Sequence, residues 1–275
     1  MTGRPESSVA AGAAAPRVVC ITGAASGLGW ALARACHARG DLVVLADRDA
    51  EGVRARAATL ADPTRAWPVP CDVTRPEDRA GLLARIRDGV GRLDVLVNNA
   101  GITHRSPARI TDPEVLRRVM EVNYHAPVAL THAVLPWLRA SRGSLVCIGS
   151  MAGWMPVPGR AGYGASKAAL TQWAEVLRLE VAPEGIHVLL AHPSFLDTPI
   201  ERNALGADGG PARHARSTVG RIRSAEAEAA RILEALAARR PEVRRDALPA
   251  FAAWLWRLAP AVYRRVMTRR FAGEL

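Results

Sequence analysis

The sequence predicts an α/β fold, in which a doubly wound parallel sheet has helices on both faces and is followed by a C-terminal helical extension. Short runs rich in Val, Ile and Leu alternate with helix-like segments as far as residue 192. The runs are apolar nearly throughout, as expected of parallel strands that are covered on both faces. Regular alternation of strands and helices favours an open sheet with right-handed crossovers.

Six apolar runs are predicted to be strands, and they lie at 17–22, 42–47, 66–73, 93–99, 144–150 and 186–192. The segments between them, such as 29–40 and 76–90, have helical periodicity. A longer helix is predicted within 111–140, where Thr111 or Asp112 can cap the first turn and Pro113 suits its start.

The chain is predicted to form one domain over residues 17–245. It has 275 residues, enough for one large α/β domain, and no linker divides it between 17 and 200. Residues 1–16 are an Ala/Gly-rich segment without a signal-peptide pattern and are predicted to be a flexible lead-in. Residues 246–275 are predicted to be a basic amphipathic extension.

The cysteine pattern favours buried free thiols in a reducing cytoplasm over a metal site. The four cysteines have neither metal-like nor CxxC spacing, and they are Cys20, Cys36, Cys71 and Cys147. We therefore predict no metal. No apolar run approaches the roughly 20 residues needed to span a bilayer.

The positive charge is concentrated in the C-terminal quarter. The net charge is +11, and residues 211–275 contain 14 arginines against 6 acidic residues. Nucleic acid is one partner that such charge can attract. The segment lacks a recognisable nucleic-acid-reading motif and places its aromatic residues on an apolar face, so nucleic-acid binding is not favoured.

The stretch TGAASGLG at 22–29 follows the first predicted strand and opens the first predicted helix. Glycines there let a backbone approach a pyrophosphate at the positive N-terminus of a helix. Asp47 ends the second strand, where a carboxylate can accept hydrogen bonds from the adenosine ribose and repel a 2′-phosphate. Arg48 favours the phosphate instead. We predict NAD as the cofactor, in preference to NADP.

The only lysine of the chain, Lys167, follows Tyr163 by four residues. In a helix these positions share a face. An ammonium is a compact point charge, unlike the wide guanidinium of the arginines used everywhere else. The alternative is that one lysine survives in an arginine-biased composition.

The glycine turn, the CDV at 71–73, the NNAG at 98–101 and the YxxxK pair together resemble the short-chain dehydrogenase/reductase family, over about residues 17–198. The resemblance implies a Rossmann-type fold and a catalytic tetrad of Asn123, Ser150, Tyr163 and Lys167. The cofactor-binding residues that it implies are Gly23, Ser26, Gly27, Leu28, Gly29, Asp47, Arg48, Asp72, Val73, Asn99, Ala100, Gly101, Tyr163, Lys167, Pro193, Leu196 and Thr198.

The resemblance also implies a role for each member of the tetrad. Tyr163 would be the general acid/base, because a nearby ammonium lowers the pKa of a phenol from its usual value of about 10. Lys167 would also bind the nicotinamide ribose. Ser150 would polarise the substrate oxygen, or else cap a turn. Asn123 would hold a water that relays protons to Lys167, or else satisfy a helix kinked near Pro127.

The sequence departs from the family pattern after the sixth strand. Pro193 and Thr198 match it, but Ser194 replaces a glycine. The final strand is hard to find, and 241–246 is expected to be a short remnant. Because tetrameric relatives pair through that end, we favour a homodimer packed through helices around 112–139 and 160–182.

The substrate region is expected over residues 199–222, which the resemblance identifies as a mobile lid. Three residues near the matched site could line an apolar pocket or simply pack beneath the lid, and they are Trp154, Met155 and Phe195. His104 and His192 are interpreted as structural or pocket-lining residues.

Residues 248–271 are predicted to form a basic amphipathic helix that is kinked or divided at Pro260. The apolar side carries Phe251, Trp254, Leu255, Leu258, Val262 and Val266. It would dock on its own domain or a dimer mate, or lie peripherally on an anionic membrane surface.

These observations predict a cytoplasmic NAD-dependent oxidoreductase that interconverts a secondary alcohol and a ketone. A membrane-surface position would suit a lipophilic substrate. The alternative is a regulatory protein that senses NAD(H) on the same fold without turnover. The complete tetrad argues against it, because a sensor needs no Tyr163, Lys167 and Ser150 together.

Overall fold

Six parallel strands form one sheet, as the sequence predicted. The structure, a computed structural model, describes residues 16–213, 222–243 and 246–272. The sheet order is β3-β2-β1-β4-β5-β6. The strands are β1 (Val18–Thr22), β2 (Leu42–Asp47), β3 (Ala66–Pro70), β4 (Val95–Asn98), β5 (Ser144–Ile148) and β6 (His187–Ala191).

Strand β3 ends earlier than predicted because a polar turn follows it. The side-chain Oδ1 of Asp72 accepts hydrogen bonds from the backbone nitrogen and the hydroxyl of Thr74, at 2.9 and 2.7 Å. Such an Asx turn directs the chain out of the sheet toward the next helix.

Helices cover both faces of the sheet. In the described part of the chain they are α1 (Gly27–Ala38), α2 (Ala50–Ala58), α3 (Pro76–Gly89), α4 (Pro113–Met120), α5 (Ala126–Ser141), α6 (Ala161–Val181), α7 (Ala225–Ala237), α8 (Ala247–Leu258) and α9 (Pro260–Arg270).

Two apolar cores, one on each face of the sheet, follow from the alternation of side chains along each strand. Val19 and Ile21 of β1 pack with α1, α2 and α7. Val18 and Cys20 point the other way and pack with α3, α5 and α6. Both faces are buried, which explains why the strands are apolar throughout.

The order of the strands reverses between β1 and β4. The chain passes from β1 through β2 to β3 on one side, and β4 then lies against the other side of β1. A crevice forms at the carboxyl ends of the strands where the order reverses, and ligands of open α/β sheets bind there.

The predicted long helix within 111–140 is divided. Asp112 is the N-cap residue, and its side chain accepts a hydrogen bond from the Glu114 nitrogen. The α4 and α5 helices are joined by a π-helical turn at Glu121–His125. Pro127 has no N–H to donate to the carbonyl of residue 123, so the α-helical ladder is interrupted at that point.

The predicted final strand is reduced to a single parallel bridge between Leu190 and Glu242. Two hydrogen bonds form it, from the Leu190 nitrogen to the Pro241 carbonyl and from the Val243 nitrogen to the Leu190 carbonyl. The next two residues, 244–245, lie outside the described residues. Pro260 is the first residue of α9, so the C-terminal extension is two helices.

Several predicted segments fall partly outside the described residues. These are the lead-in 1–16, of which only residue 16 is described, the lid 199–222, without 214–221, and the extension 246–275, without 273–275. Among the helices of the described ranges, none combines the length and apolarity needed to cross a membrane.

Candidate active site

A cavity of about 690 Å³ opens at the carboxyl ends of the strands. This volume is within the range of cofactor and ligand pockets. The walls are formed by the segments that follow β1 to β6 and by residues of α8 and α9. All the predicted cofactor-binding residues except Gly29 line the cavity, together with Ser150, Tyr163, Lys167, Met155 and Phe195.

The glycine loop brings the N-terminus of α1 to the cavity. The first N–H groups of a helix have no partner within the helix and carry partial positive charge. Ser26, the N-cap residue, is exposed beside them. Gly29 lies behind the loop, where a Cβ atom would be 2.1 Å from the Gly23 carbonyl oxygen. Only glycine therefore allows α1 to start so close to β1.

Acidic residues line the end of the cavity beyond β2 and β3. Asp47 accepts hydrogen bonds from the backbone nitrogens of Ala25 and Asp49, both at 2.9 Å. These bonds fix its carboxylate beside the glycine loop. Burial raises the pKa of Asp72, but hydrogen bonds from Thr74 outweigh it and hold that pKa below its usual value. Arg48 and Val73 line the same end.

The turn after β4 is bonded directly to the end of β1. The hydroxyl of Thr22 accepts hydrogen bonds from the backbone nitrogens of Asn99 and Ala100, at 3.1 and 3.0 Å. The Asn99 side chain donates to the carbonyls of Thr22 and Gly23. Sequence reasoning missed Thr22 as a site residue, although Thr22 is the first residue of the glycine-rich segment 22–29.

Lys167 is buried in the cavity wall, one turn after Tyr163 on α6. Its Nζ donates a hydrogen bond to the Ile148 carbonyl at 2.8 Å and lies 6.0 Å from the centroid of the Tyr163 ring. Burial lowers the pKa of Lys167 to about 8. The ammonium is therefore charged at neutral pH and lies near the phenol.

Asn123 does not line the cavity. It is fully buried in the π-helical turn, and its side chain pairs with both backbone groups of Ile102, at 2.9 Å each. It also donates to the Ser166 hydroxyl at 2.9 Å. The direct contacts of Asn123 thus hold the segment after the NNAG turn against α6.

Gly101 separates Asn123 from Lys167. A Cβ atom on Gly101 would be 3.2 Å from the Asn123 Oδ1 and 3.5 Å from the Lys167 Nζ. A side chain there would crowd the Asn123 amide oxygen and contact the Lys167 ammonium. Gly101 therefore lies between the two groups that the predicted water relay would connect.

Ser150 follows β5 and is both a turn cap and a cavity residue. Its Oγ accepts a hydrogen bond from the Ala152 nitrogen at 3.2 Å, which caps a short 3-10 turn. This bond uses a lone pair of the hydroxyl and leaves its O–H as a donor toward the cavity. The two interpretations of Ser150 are therefore compatible.

His104 supports the start of the helix that carries Tyr163. Its Nε2 accepts a hydrogen bond from the Gly162 nitrogen at 2.8 Å, and its Nδ1 lies 3.2 Å from the Ser106 hydroxyl. Burial, and then the charge of Arg160, lower the pKa of His104 to about 4. The imidazole is therefore neutral and able to accept at physiological pH. This partner lies 58 residues away in sequence, so sequence patterns gave no signal of it.

The segment after β6 closes one side of the cavity. Pro193, Leu196 and Thr198 line it, and Thr198 lies against Gly27. The departure from the family pattern, Ser194, donates a hydrogen bond to Asp246 at 3.0 Å. The substituted position thus ties this segment to the N-cap of α8.

The predicted pocket residues divide into two groups. Met155 and Phe195 line the cavity, whereas Trp154 does not. The Trp154 ring packs on His192 with centroids 4.5 Å apart, beside a separate small cavity. Its assignment to the pocket is therefore corrected. Sequence reasoning missed Tyr263, Met267 and Phe271, which add apolar surface to the cavity wall.

These residues fit a nicotinamide dinucleotide. Carboxylates lie at one end of the cavity, a helix N-terminus at its middle and a buried ammonium at the other end. The close approach of Gly29 to Gly23 leaves room for a pyrophosphate at α1. Within the described ranges, no group of three or more His, Cys, Asp or Glu is placed to hold a metal ion.

Comparison with known proteins matches the same region. Residues 17–208 match the sequence profile described as short chain dehydrogenase. The chain is 40% identical over 267 residues to "Dehydrogenase/reductase SDR family member 7B" of Bos taurus, covering 94% of this chain and 82% of the relative.

Two solved structures share the fold and contain different cofactors. A short chain dehydrogenase from Burkholderia cenocepacia in complex with NADP superposes with a TM-score of 0.75 at 28% identity, covering 92% and 97% of the two chains. A 3-ketoacyl-(acyl-carrier-protein) reductase from Brucella melitensis complexed with NADH gives 0.70 at 25% identity, covering 80% and 90%.

Proposed function

The chain belongs to the short chain dehydrogenase family, and we propose that it is an NAD-dependent oxidoreductase that interconverts a secondary alcohol and a ketone. One observation carries the proposal. Tyr163 and the buried Lys167 line the same cavity as the glycine loop and Ser150. That arrangement joins a proton donor, a cation and an oxygen-binding hydroxyl to a dinucleotide site.

The cofactor would be held by groups along the whole cavity. The N-terminus of α1 would bind the pyrophosphate, Asp47 the adenosine ribose and Lys167 the nicotinamide ribose. When bound, the nicotinamide supplies or accepts the hydride. The turn of Asn99 and Ala100, fixed to Thr22, would form the wall beside it.

Tyr163 would move the proton. In the direction of oxidation its phenolate accepts the proton of the substrate hydroxyl, and in reduction its phenol returns a proton to the carbonyl oxygen. The charge of Lys167 favours the phenolate, because an opposite charge stabilises the ionised form. The Ile148 carbonyl uses one ammonium proton and orients the others. Ser150 would donate to the substrate oxygen as negative charge develops on it.

The experiment for this function measures NADH formation across secondary alcohols from short-chain to sterol-sized, with Tyr163→Phe beside the wild type. Turnover should fall roughly 10²- to 10⁴-fold in the variant, because the proton-transfer group is lost. Tyr124→Phe is the matched control, since Tyr124 is not among the cavity-lining residues. If cofactor binds but no alcohol or ketone turns over, the protein is instead the NAD(H) sensor.

The preference for NAD is proposed from Asp47, whose carboxylate would repel a 2′-phosphate. Asp47→Asn removes the charge, and we expect the ratio of kcat/KM for NAD to that for NADP to fall at least about tenfold, equivalent to about 1.4 kcal/mol. Asp88→Asn, on the exposed surface of α3, is the control. A wild-type enzyme that prefers NADP would contradict the proposal.

We also propose a lipophilic substrate, on the apolar side chains of Met155, Phe195, Met267 and Phe271 around the cavity. A size preference for long-chain or sterol-sized members of the alcohol panel is the expected result. Equal rates for short and long alcohols would contradict it.

A homodimer is proposed through the faces of α5 and α6 that lie away from the sheet. Val176 and Leu179 on α6 are 44% and 77% exposed, and burial against a partner would remove this apolar surface from water. Sedimentation equilibrium of the intact chain should give twice the monomer mass.

A reducing cytoplasm is the proposed compartment, because all four cysteines are buried free thiols.

A further inference from the structure

The two C-terminal helices expose large apolar side chains along their length. Five side chains form what we name the apolar stripe, and they are Phe251, Trp254, Leu258, Val262 and Val266. Each is between 51% and 64% exposed. Their spacing of three or four residues places them on one face of each helix, and the rings of Phe251 and Trp254 lie 6.1 Å apart.

The same helices carry only positive charge. Residues 247–273 contain five arginines and no acidic residue. All five are exposed, and they are Arg257, Arg264, Arg265, Arg269 and Arg270. Exposed aromatic and aliphatic side chains bordered by arginines are complementary to an anionic lipid surface, which offers apolar chains beneath negative headgroups.

The opposite face of the helix pair is part of the cavity wall. Ala252, Tyr263, Met267 and Phe271 line the cavity. Tyr263 is buried, and its hydroxyl donates a hydrogen bond to the Pro156 carbonyl at 2.7 Å. Leu248 both lines the cavity and is 48% exposed, so it lies at the rim.

We propose that the apolar stripe inserts into the surface of an anionic membrane, so that the rim of the cavity at Leu248 faces lipid. A substrate dissolved in the bilayer then reaches the cavity without crossing water. The helix pair is thus both the membrane contact and one wall of the substrate site. A second copy of the chain fits this face less well, because pairing it with itself would bring five arginines against five.

Vesicle flotation of the intact chain tests the membrane contact. Phosphatidylcholine vesicles with phosphatidylserine should carry the wild type, and Leu258→Ser should lower the partition coefficient about tenfold. Ile110→Ser is the matched control, because Leu258 and Ile110 are 64% and 59% exposed and only Leu258 belongs to the stripe. Phe251→Ser with Trp254→Ser should abolish flotation.

The charges give a second, independent readout. Arg265→Gln and Arg269→Gln should each weaken binding to vesicles that contain phosphatidylserine about fivefold. Neither should affect the residual binding to pure phosphatidylcholine. Arg54→Gln, an exposed arginine of α2, should change nothing. Equal flotation of the wild type and the stripe variants overturns the proposal. It is also overturned if the stripe variants change only the self-association of the protein, measured by sedimentation, and not its flotation.

Access of the substrate from the bilayer rests on the proposed oxidoreductase function and needs its own measurement. For an alcohol supplied in vesicles, Leu258→Ser should raise KM about tenfold and leave kcat unchanged. For a short water-soluble alcohol, neither constant should change. Flotation is measured without turnover and is therefore independent of the proposed function. If the protein floats with vesicles but oxidises no alcohol, the proposed function is refuted and the membrane contact is not.

Discussion

At the scale of the residue, Lys167 differs from the other cationic side chains in being a buried ammonium. The other basic groups are arginines, which carry their charge at any physiological pH. An ammonium can be buried on a single carbonyl, as it is on Ile148, and it fits where a guanidinium would need a wider set of acceptors. The burial lowers the pKa of Lys167 and therefore opposes folding at neutral pH.

The pH dependence of stability tests this burial. Because the folded pKa of about 8 lies below the usual 10.5, the unfolded chain binds more protons at Lys167 between these values, so the contribution of Lys167 to the free energy of unfolding rises with pH across that window. The buried cysteines, whose pKa values are raised, oppose this rise in both the wild type and Lys167→Met. The free energy of unfolding of the wild type relative to Lys167→Met should therefore rise by roughly 3 kcal/mol between pH 7 and 10.5. Urea denaturation of both proteins from pH 7 to 10.5 measures it. Parallel curves would contradict a lowered pKa.

At the scale of the element, the start of α6 decides where Tyr163 lies. The first N–H groups of a helix lack partners within it, and here the Gly162 nitrogen finds one in His104. The π-helical turn contributes from the other side, since Asn123 donates to Ser166 on the same helix. Two segments distant in sequence thus fix the helix that carries Tyr163 and Lys167.

Two substitutions of His104 separate its role as a hydrogen-bond acceptor from the effect of its protonation. Its folded pKa of about 4 lies below the usual 6.5, so the wild type should lose roughly 3 kcal/mol of stability as the pH falls through that window. His104→Gln keeps an acceptor without the titration and should lack this loss. His104→Leu should be about 1–3 kcal/mol less stable than His104→Gln at every pH, because neither variant titrates and leucine leaves the Gly162 N–H unpaired.

Thermal unfolding of the three proteins between pH 4 and 7 gives the comparison. A glutamine variant with the same acid dependence as the wild type would show that another group is responsible. A leucine variant as stable as the glutamine variant would show that the Gly162 nitrogen finds a different acceptor.

At the scale of the whole molecule, the cavity is completed by the end of the chain. The sheet and its loops provide most of the wall, within the residues 17–208 that match the short chain dehydrogenase family. Tyr263, Met267 and Phe271 add a wall from α9 and the residue that follows it. The bond from Tyr263 to the Pro156 carbonyl joins parts of the chain 107 residues apart.

Tyr263→Phe should loosen this closure without unfolding the domain. Loss of one hydrogen bond costs about 1 kcal/mol, so amide exchange in α8 and α9 should quicken about fivefold while the strands keep their protection. Hydrogen-exchange mass spectrometry of the variant beside Tyr124→Phe makes the measurement. Unchanged exchange in both helices would show that the bond does not hold them.

The sequence by itself determined the sheet, its two covered faces, the glycine loop and the spacing of Tyr163 and Lys167. These depend on neighbours within one strand, one turn or one helix, and such patterns are written in consecutive residues. Asp112 could be named as a cap for the same reason, although Thr111 competed with it until the contact with Glu114 was known.

Only the tertiary structure decided how distant segments meet. It placed Trp154 against His192 instead of in the cavity, paired the Gly162 N–H with His104, and brought α8 and α9 to the cavity wall. Helical periodicity in residues 248–271 predicted one apolar face, but not which side chains would be covered. Packing settled that: it buried Tyr263 and Phe271, and it left Trp254 and Leu258 exposed, because coverage depends on surfaces that come together only when the chain is folded.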